Sequence, residues 1–199
     1  MFIAFEGIDN TGKSTQVKLL QDYIGKKDSI ITREPGGCFI SEKIREVLVQ
    51  GTPETMDATT ELLLMNAQRR EHIKQTIHPA IDKGKTVICD RYIDSTVAYQ
   101  HSIDVKTILG FHRQLCFGLF PDIVFLIDLP AAVSYTREAN PQESRFESKG
   151  LLFMDKVRDR FLESAKDNPN THIILNGEMS IDEIHNEIIK EYDKRLDRQ

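Results

Sequence analysis

Phe2-Ile3-Ala4-Phe5-Glu6-Gly7-Ile8-Asp9-Asn10-Thr11-Gly12-Lys13-Ser14-Thr15 stands at the start of the chain, and how this stretch is read decides the fold. Phe2 to Phe5 is a short, wholly apolar run suited to a buried strand. Gly7 to Ser14 matches G-x-x-x-x-G-K-[ST], and Thr15 to Ile24 reads as a helix. Strand, glycine loop and helix therefore come in the order that a phosphate-binding loop requires. Glycines let backbone N–H groups close around phosphate oxygens, and the helix N-terminus adds positive potential. Lys13, expected to face solvent, is placed to reach the β- and γ-phosphates of a nucleotide, and Ser14 to ligate Mg²⁺. A glycine turn leading into an ordinary helix would share the spacing, but the strand before and the helix after speak against that plainer reading.

Working outward, four further runs rich in β-branched or aromatic residues stand out: Ser29 to Thr32, Thr86 to Cys89, Ile123 to Ile127 and His172 to Leu175. Between them lie stretches with helical spacing, such as Ile73, Ile77 and Ile81, or Ile181, Ile184 and Ile188. The order is βαβα. Runs that are apolar throughout suit strands covered on both faces, so the pattern predicts an open, parallel sheet between helix layers, an α/β fold of three layers. At 199 residues, with no repeat and no Ser/Gly/Pro linker, one domain over 1–199 is expected. The unpatterned polar stretch Glu138-Ala139-Asn140-Pro141-Gln142-Glu143-Ser144 reads as a mobile loop or a lid, at about 137–150.

Ligands bind at the carboxyl ends of strands in such sheets. After the second strand comes Thr32-Arg33-Glu34-Pro35-Gly36-Gly37, where Pro-Gly-Gly forces a turn and Arg33 stands where an anion could be met. After the third comes Asp90-Arg91-Tyr92. A carboxylate there can hold hydrated Mg²⁺ and a guanidinium can grip phosphate bidentately, although an Asp-Arg pair is more often a surface ion pair.

Composition narrows the class. A formal charge of −5 argues against a protein that coats nucleic acid, because duplex binding depends on many Lys and Arg contacts to phosphate. Cys38, Cys89 and Cys116 are odd in number and far apart, with no zinc spacing, and read as reduced thiols of a cytoplasmic protein. Ile123 to Ile127 is far short of the ~20 residues that a membrane helix needs. Met1 leads directly into the first strand, so neither a secretory leader nor a membrane span is expected.

Taken together, F-E-G-I-D-x-x-G-K-S-T-Q, T-R-E-P-G-G, D-R-Y-x-x-S-x-x-A-Y-Q and R-F-E resemble the thymidylate (dTMP) kinase family, in order and over nearly the whole chain. The resemblance implies a P-loop fold with a five-stranded parallel sheet and a lid. It also implies transfer of the γ-phosphoryl group of Mg-ATP to dTMP in deoxynucleotide biosynthesis, by a cytoplasmic homodimer. Gly7, Ile8, Asp9, Asn10, Thr11, Gly12, Lys13, Ser14 and Thr15 then become the ATP site, with Asn176 near adenine and Mg²⁺ on Ser14 and Asp90. Arg91 falls on the acceptor phosphate, beside Arg33 and Pro35. Asp9 matches the carboxylate that bonds the acceptor 3′-hydroxyl. Met65, Arg69, Ser95, Tyr99 and Gln100 match the base and sugar pocket, Arg69 as donor to a thymine carbonyl and Tyr99 as the ring beneath the deoxyribose. Met65 and Arg69, four apart on a predicted helix, share one face.

Three positions depart from the family pattern. Met65 stands where a Phe usually stacks on thymine. Asn10 replaces an Arg that one branch uses as a catalytic cation, which moves that cation to the lid. Arg145, in Ser144-Arg145-Phe146-Glu147, is the candidate, with Arg137 and Lys149 behind it and an ion pair to Glu147 or Asp155 as the structural alternative. Cys38 stands where Thr is common. Among rival classes, a regulatory GTPase needs N-K-x-D near the fourth strand, where Ile127-Asp128-Leu129-Pro130 is found. A deoxynucleoside kinase needs a carboxylate base, for which Glu34 is the candidate, but the Pro-Gly-Gly after it follows the monophosphate-kinase pattern. A silent nucleotide binder does not need Lys13, Ser14, Asp90 and Arg91 all intact.

Overall fold

The computed structural model describes residues 1–50, 56–137 and 150–197. Five strands, β1 (Phe2–Glu6), β2 (Ser29–Arg33), β3 (Thr86–Asp90), β4 (Ile123–Asp128) and β5 (His172–Asn176), form one parallel sheet in the order β2-β3-β1-β4-β5. Each coincides with a run expected from the sequence and extends it by one polar residue. Register is pinned on both sides of the central strand, with Phe5 opposite Asp90 on β3 and opposite Phe125 on β4.

Period-two alternation within the apolar strands explains why both faces need cover. Phe2 and Ala4 point to one side and join Val87, Cys89 and Val124 against Leu62, Ile73, Ile77, Ile93, Val97 and Ile108. These belong to α3 (Ala58–His72), a π turn (Ile73–Ile77) continued by α4 (His78–Asp82), α5 (Ile93–Tyr99) and α6 (Val105–Leu115), with α2 (Phe39–Val49) packed outside α3. Ile3 and Phe5 point the other way, with Ile88, Phe125 and Ile127, onto Val17 and Leu20 of α1 (Lys13–Ile24) and Ile184, Ile188 and Tyr192 of α9 (Ile181–Leu196). Fully burying each such side chain contributes about 1.5–3 kcal/mol before conformational entropy is set against it. A third cluster, with Leu126, Ala98 and Tyr99, packs α7 (Ala131–Thr136) and α8 (Leu151–Asp167) beside β4.

From β1 the chain first builds leftward through β2 and β3, then crosses to build β4 and β5 on the other side. The crevice at the carboxyl ends of β1 and β3 is therefore the topological switch point, where an open α/β sheet binds its ligand. The segment expected as a lid lies, from 138 to 149, outside the described residues, and Arg145 with it.

Candidate active site

β1 ends at Glu6, and residues 7–12 turn back to start α1 at Lys13. The turn requires glycine at its first position. Gly7 has φ 137°, and a Cβ there would sit 2.5 Å from the Ile127 carbonyl oxygen on β4. Asn10 (φ 56°) and Gly12 (φ 94°) are left-handed, and Gly12 ends the loop at an α1 N-terminus that has no side-chain cap. This end of the helix presents first-turn N–H groups and the positive end of its dipole.

Lys13 does not face solvent as expected; it is 6% exposed. Its Nζ donates to the Ile8 carbonyl at 2.6 Å and reaches the Thr11 hydroxyl at 3.5 Å. The reason is geometric: a loop curled this tightly turns carbonyls inward, and an ammonium with three donors bonds to them. Burial, followed by repulsion from Arg91, brings its pKa down to about 8, despite the opposing pull of Asp90, Asp9 and Glu6. Ser14 Oγ donates to Asp90 Oδ2 at 2.7 Å, joining the first turn of α1 to the end of β3. These are hard oxygen donors at the edge of the cleft in front of α1. They fit a hydrated divalent cation that takes one or two protein oxygens and the rest from water and phosphate. Among the described residues no group of three His, Cys, Asp or Glu could hold a metal by itself.

Two clefts meet here. The first is lined by Asp9, Asn10, Gly12, Lys13, Ser14, Thr15, Asp90 and Arg91. The second, of about 210 Å³, takes in Asp9, Pro35, Met65, Arg91, Ser95, Tyr99 and Gln100 from the expected set, together with Glu34, Arg45, Val49 and Tyr92. Asp9 and Arg91 are the residues common to both linings and form the wall between them. Arg91 Nη2 donates to Asp9 Oδ1 at 2.6 Å, Nη1 to the Gly7 carbonyl at 2.8 Å and to Ser95 Oγ at 3.2 Å, and the guanidinium lies 5.4 Å from the Tyr99 ring centre. Burial would raise the Asp9 pKa, but Arg91 and Lys13 outweigh it and hold the carboxyl below its usual range. Tyr99 completes the wall with a hydroxyl 3.4 Å from Asp9 Oδ2.

Other expected residues lie elsewhere. Arg33 is half exposed and pairs with Glu42 at 3.1 Å outside the second cleft. Arg69 is wholly buried behind it, its Nε 2.6 Å from Glu34 Oε2 and its Nη2 donating to Thr96 Oγ1 and the Tyr92 carbonyl; Nη1 has no hydrogen-bond partner among the described residues. Gly7, Ile8 and Thr11 shape the phosphate loop from beneath without lining its cleft, and Asn176 is exposed at the end of β5. Gln100 donates to Glu61, which leaves its buried Oε1 without a partner among the described residues.

Glu34 is no free base. His72 Nδ1 lies 2.9 Å from its Oε1 opposite the Arg69 contact, and although burial pushes its pKa up, those two partners hold it below the carboxylate range. That removes the one carboxylate on which the deoxynucleoside reading leaned. Arg45, which the motifs did not reveal, donates to the Pro35 carbonyl at 2.8 Å and faces the second cleft. Its signal was a cation set between Ser41 and Leu48 on the inward stripe of α2.

A family model described as thymidylate kinase matches residues 5–188. The thymidylate kinase of Sulfurihydrogenibium sp. (strain YO3AOP1) is 40% identical over 199 residues, covering 98% of this chain and 97% of that one. The thymidylate kinase of Fervidobacterium nodosum is 41% identical, covering 98% and 100%. Among solved structures, thymidylate kinase from Ehrlichia chaffeensis superposes with a TM-score of 0.78 at 35% identity, covering 96% of this chain and 98% of that one.

Proposed function

This chain belongs to the thymidylate kinase family, and from that membership we propose the roles its residues take in moving the γ-phosphoryl group of ATP onto dTMP. The activity is that of an ATP-dependent nucleoside monophosphate kinase, yielding ADP and dTDP. The observation that carries the division of labour is the shared Asp9–Arg91 wall, which sets a cleft built for phosphate against a cleft built for a small ligand. Phosphoryl transfer asks a protein mainly for alignment and charge neutralisation. No general base is required, because the attacking oxygen of the monophosphate is already ionised.

Lys13 moves from the Ile8 carbonyl to the ATP phosphates. Ser14 and Asp90 would hold Mg²⁺, which would supply charge neutralisation to the ATP phosphates. Arg91 grips the acceptor phosphate from the wall, and Asp9 and Tyr99 position the sugar. Met65, Ser95 and Gln100 line the base pocket, with Arg69 held behind it by Glu34. Arg145, in a lid at about 137–150, is assigned the closing cation because Asn10 is neutral. The enzyme acts in the cytoplasm, which suits its three unpaired cysteines. Ile40 and Val47 of α2, Leu63 of α3 and Leu115 of α6 are exposed on helices that pack together, an apolar face suited to a homodimer. Among the described residues no helix is long and apolar enough to cross a membrane. Coupled ATP consumption across a panel of nucleoside monophosphates tests this reading; dTMP is expected to be the preferred acceptor, and turnover only with another acceptor overturns the assignment.

Two further results are expected. Because the Lys13 pKa sits at about 8 and anionic phosphates favour the ammonium, ATP binding takes up a proton at pH 9. ATP affinity therefore falls as pH rises from 7 to 10. Calorimetry in buffers of different ionisation enthalpy measures the uptake, and zero uptake at pH 9 would contradict the assignment. Met65 is 6% exposed on the wall of the acceptor cleft. Met65→Phe adds a ring face worth ~0.5–1.5 kcal/mol and lowers the Michaelis constant for dTMP by up to about tenfold, with little change in turnover. A weaker dTMP interaction in the variant would mean that neighbours repack around the thioether.

A further inference from the structure

Glu6, the last residue of β1, is wholly buried and lines neither cleft, yet among the described residues every hydrogen bond of its side chain goes to the segment that carries Arg91. Its Oε1 accepts from the backbone N–H of Tyr92 at 2.8 Å and of Ser95 at 3.2 Å, and its Oε2 accepts from the Ser95 hydroxyl at 2.6 Å. Tyr92 is the N-cap of α5 and offers no side-chain cap of its own. Glu6 therefore caps that helix from a neighbouring strand, satisfying donors that the first turn leaves open.

Immediately before the helix, Arg91 has φ 69°, a left-handed conformation that non-glycine residues hold only where their surroundings fix it. Both flanks of Arg91 are tied to β1: its own N–H donates to the Phe5 carbonyl at 2.9 Å, and Glu6 grips the amide that follows. The side chain is held by the same group. Ser95 Oγ, which donates to Glu6, accepts from Arg91 Nη1 at 3.2 Å. One buried carboxyl group thus holds the backbone turn of Arg91 and, through Ser95, one of the three hydrogen-bonded anchors of its guanidinium, beside Asp9 and the Gly7 carbonyl.

We propose that Glu6 is a positioning residue for the acceptor-phosphate clamp, acting through Arg91 and making no contact with either substrate. The proposal rests on the assignment of Arg91 to the dTMP phosphate. A residue that only stabilised the fold would lower stability and disturb both substrates alike; one that aims Arg91 disturbs the acceptor.

Glu6→Gln keeps the shape and one carbonyl oxygen, and is compared with Arg91→Lys and with the double variant. Glu6→Gln is expected to raise the Michaelis constant for dTMP at least tenfold and to leave that for ATP within twofold. Because Glu6 acts through Arg91, adding Glu6→Gln to Arg91→Lys changes dTMP use by less than a further twofold. The proposal is overturned if Glu6→Gln leaves the dTMP constant within twofold of wild type, if both constants rise together, or if the two substitutions multiply. Hydrogen exchange on the wild-type protein keeps the idea testable should Glu6→Gln not fold. The Tyr92 and Ser95 amides are expected to be protected like those of β1, and exchange at loop rates overturns it. If Arg91→Lys alone leaves dTMP use unchanged, the assignment of Arg91 falls and takes this one with it. If Arg91→Lys impairs dTMP use and Glu6→Gln does not, only the role of Glu6 falls.

Discussion

Lys13→Ala is expected to lower turnover by at least ~10³-fold while leaving the chain folded. The expected loss is large because the ammonium acts where charge develops on the transferring group, in a cleft where Arg91, the other cation of the described lining, is paired with Asp9. Folding is expected to survive because the same surroundings that bring the Lys13 pKa down to about 8 disfavour its charged form, burial first and then Arg91. Removing the side chain relieves that burden at the cost of one hydrogen bond, to the Ile8 carbonyl. The melting temperature should stay within about 4 °C of wild type, the shift that ~1 kcal/mol produces in a chain of this size. A coupled assay with ATP and dTMP, run beside a thermal melt, checks both halves. Turnover within tenfold of wild type would remove Lys13 from the reaction, and an unfolded variant would show that its bond to Ile8 holds the loop together.

Lys13 also marks the boundary of what was legible in the sequence. The glycine spacing fixed the loop and the residues at its rim, but spacing carries no information on where a flexible side chain finds its hydrogen bonds, and solvent exposure was the wrong expectation. Strand limits were wrong in an instructive way. Apolar patterning stops at Phe5, Thr32, Cys89, Ile127 and Leu175, whereas the strands run on to Glu6, Arg33, Asp90, Asp128 and Asn176. Each extra residue is polar and stands at the carboxyl edge of the sheet, where the strand gives way to the segment that follows it. Asp90 meets Ser14, Asp128 pairs with Arg158 at 2.7 Å, and Glu6 turns inward to cap α5. A pattern that tracks hydrophobicity must miss this row.

Helical spacing had a similar limit. It placed Met65 and Arg69 on one face, and both are buried, but it did not separate depth along that face. Met65 reaches the cleft, whereas Arg69, one turn on, lies behind it with His72 and holds Glu34. Arg45 escaped notice for the converse reason: it belongs to no motif, and only the inward stripe of α2 with the Pro35 carbonyl opposite shows where it points. The resemblance to a known family supplied substrates that no spacing could, since the side chains of α3 and α5 proposed to recognise base and sugar meet only in the fold.

Arg91→Ala is the second large effect, and it separates the two clefts. Two charge-assisted hydrogen bonds to the acceptor phosphate are worth about 1.5–3 kcal/mol each, so kcat/KM for dTMP is expected to fall by about 10²–10³-fold once part of that sum is taken up by water. A second consequence adds to the first. Asp9 loses the guanidinium that, with Lys13, holds its carboxyl ionised below the usual range, so an unpaired negative charge then faces the incoming phosphate across the shared wall. Acceptor binding should suffer most, because ATP still meets Lys13, the N-terminus of α1 and the Ser14–Asp90 pair. Titration calorimetry with each substrate alone checks this: dTMP affinity is expected to drop by at least tenfold and ATP affinity by no more than a few-fold. If ATP affinity collapses while dTMP affinity holds, Arg91 serves the donor and the two clefts are exchanged. Since Arg91 lines both, that result would also move the acceptor to the other side of the Asp9 wall, away from Arg45 in the cleft of Met65, Tyr99 and Gln100.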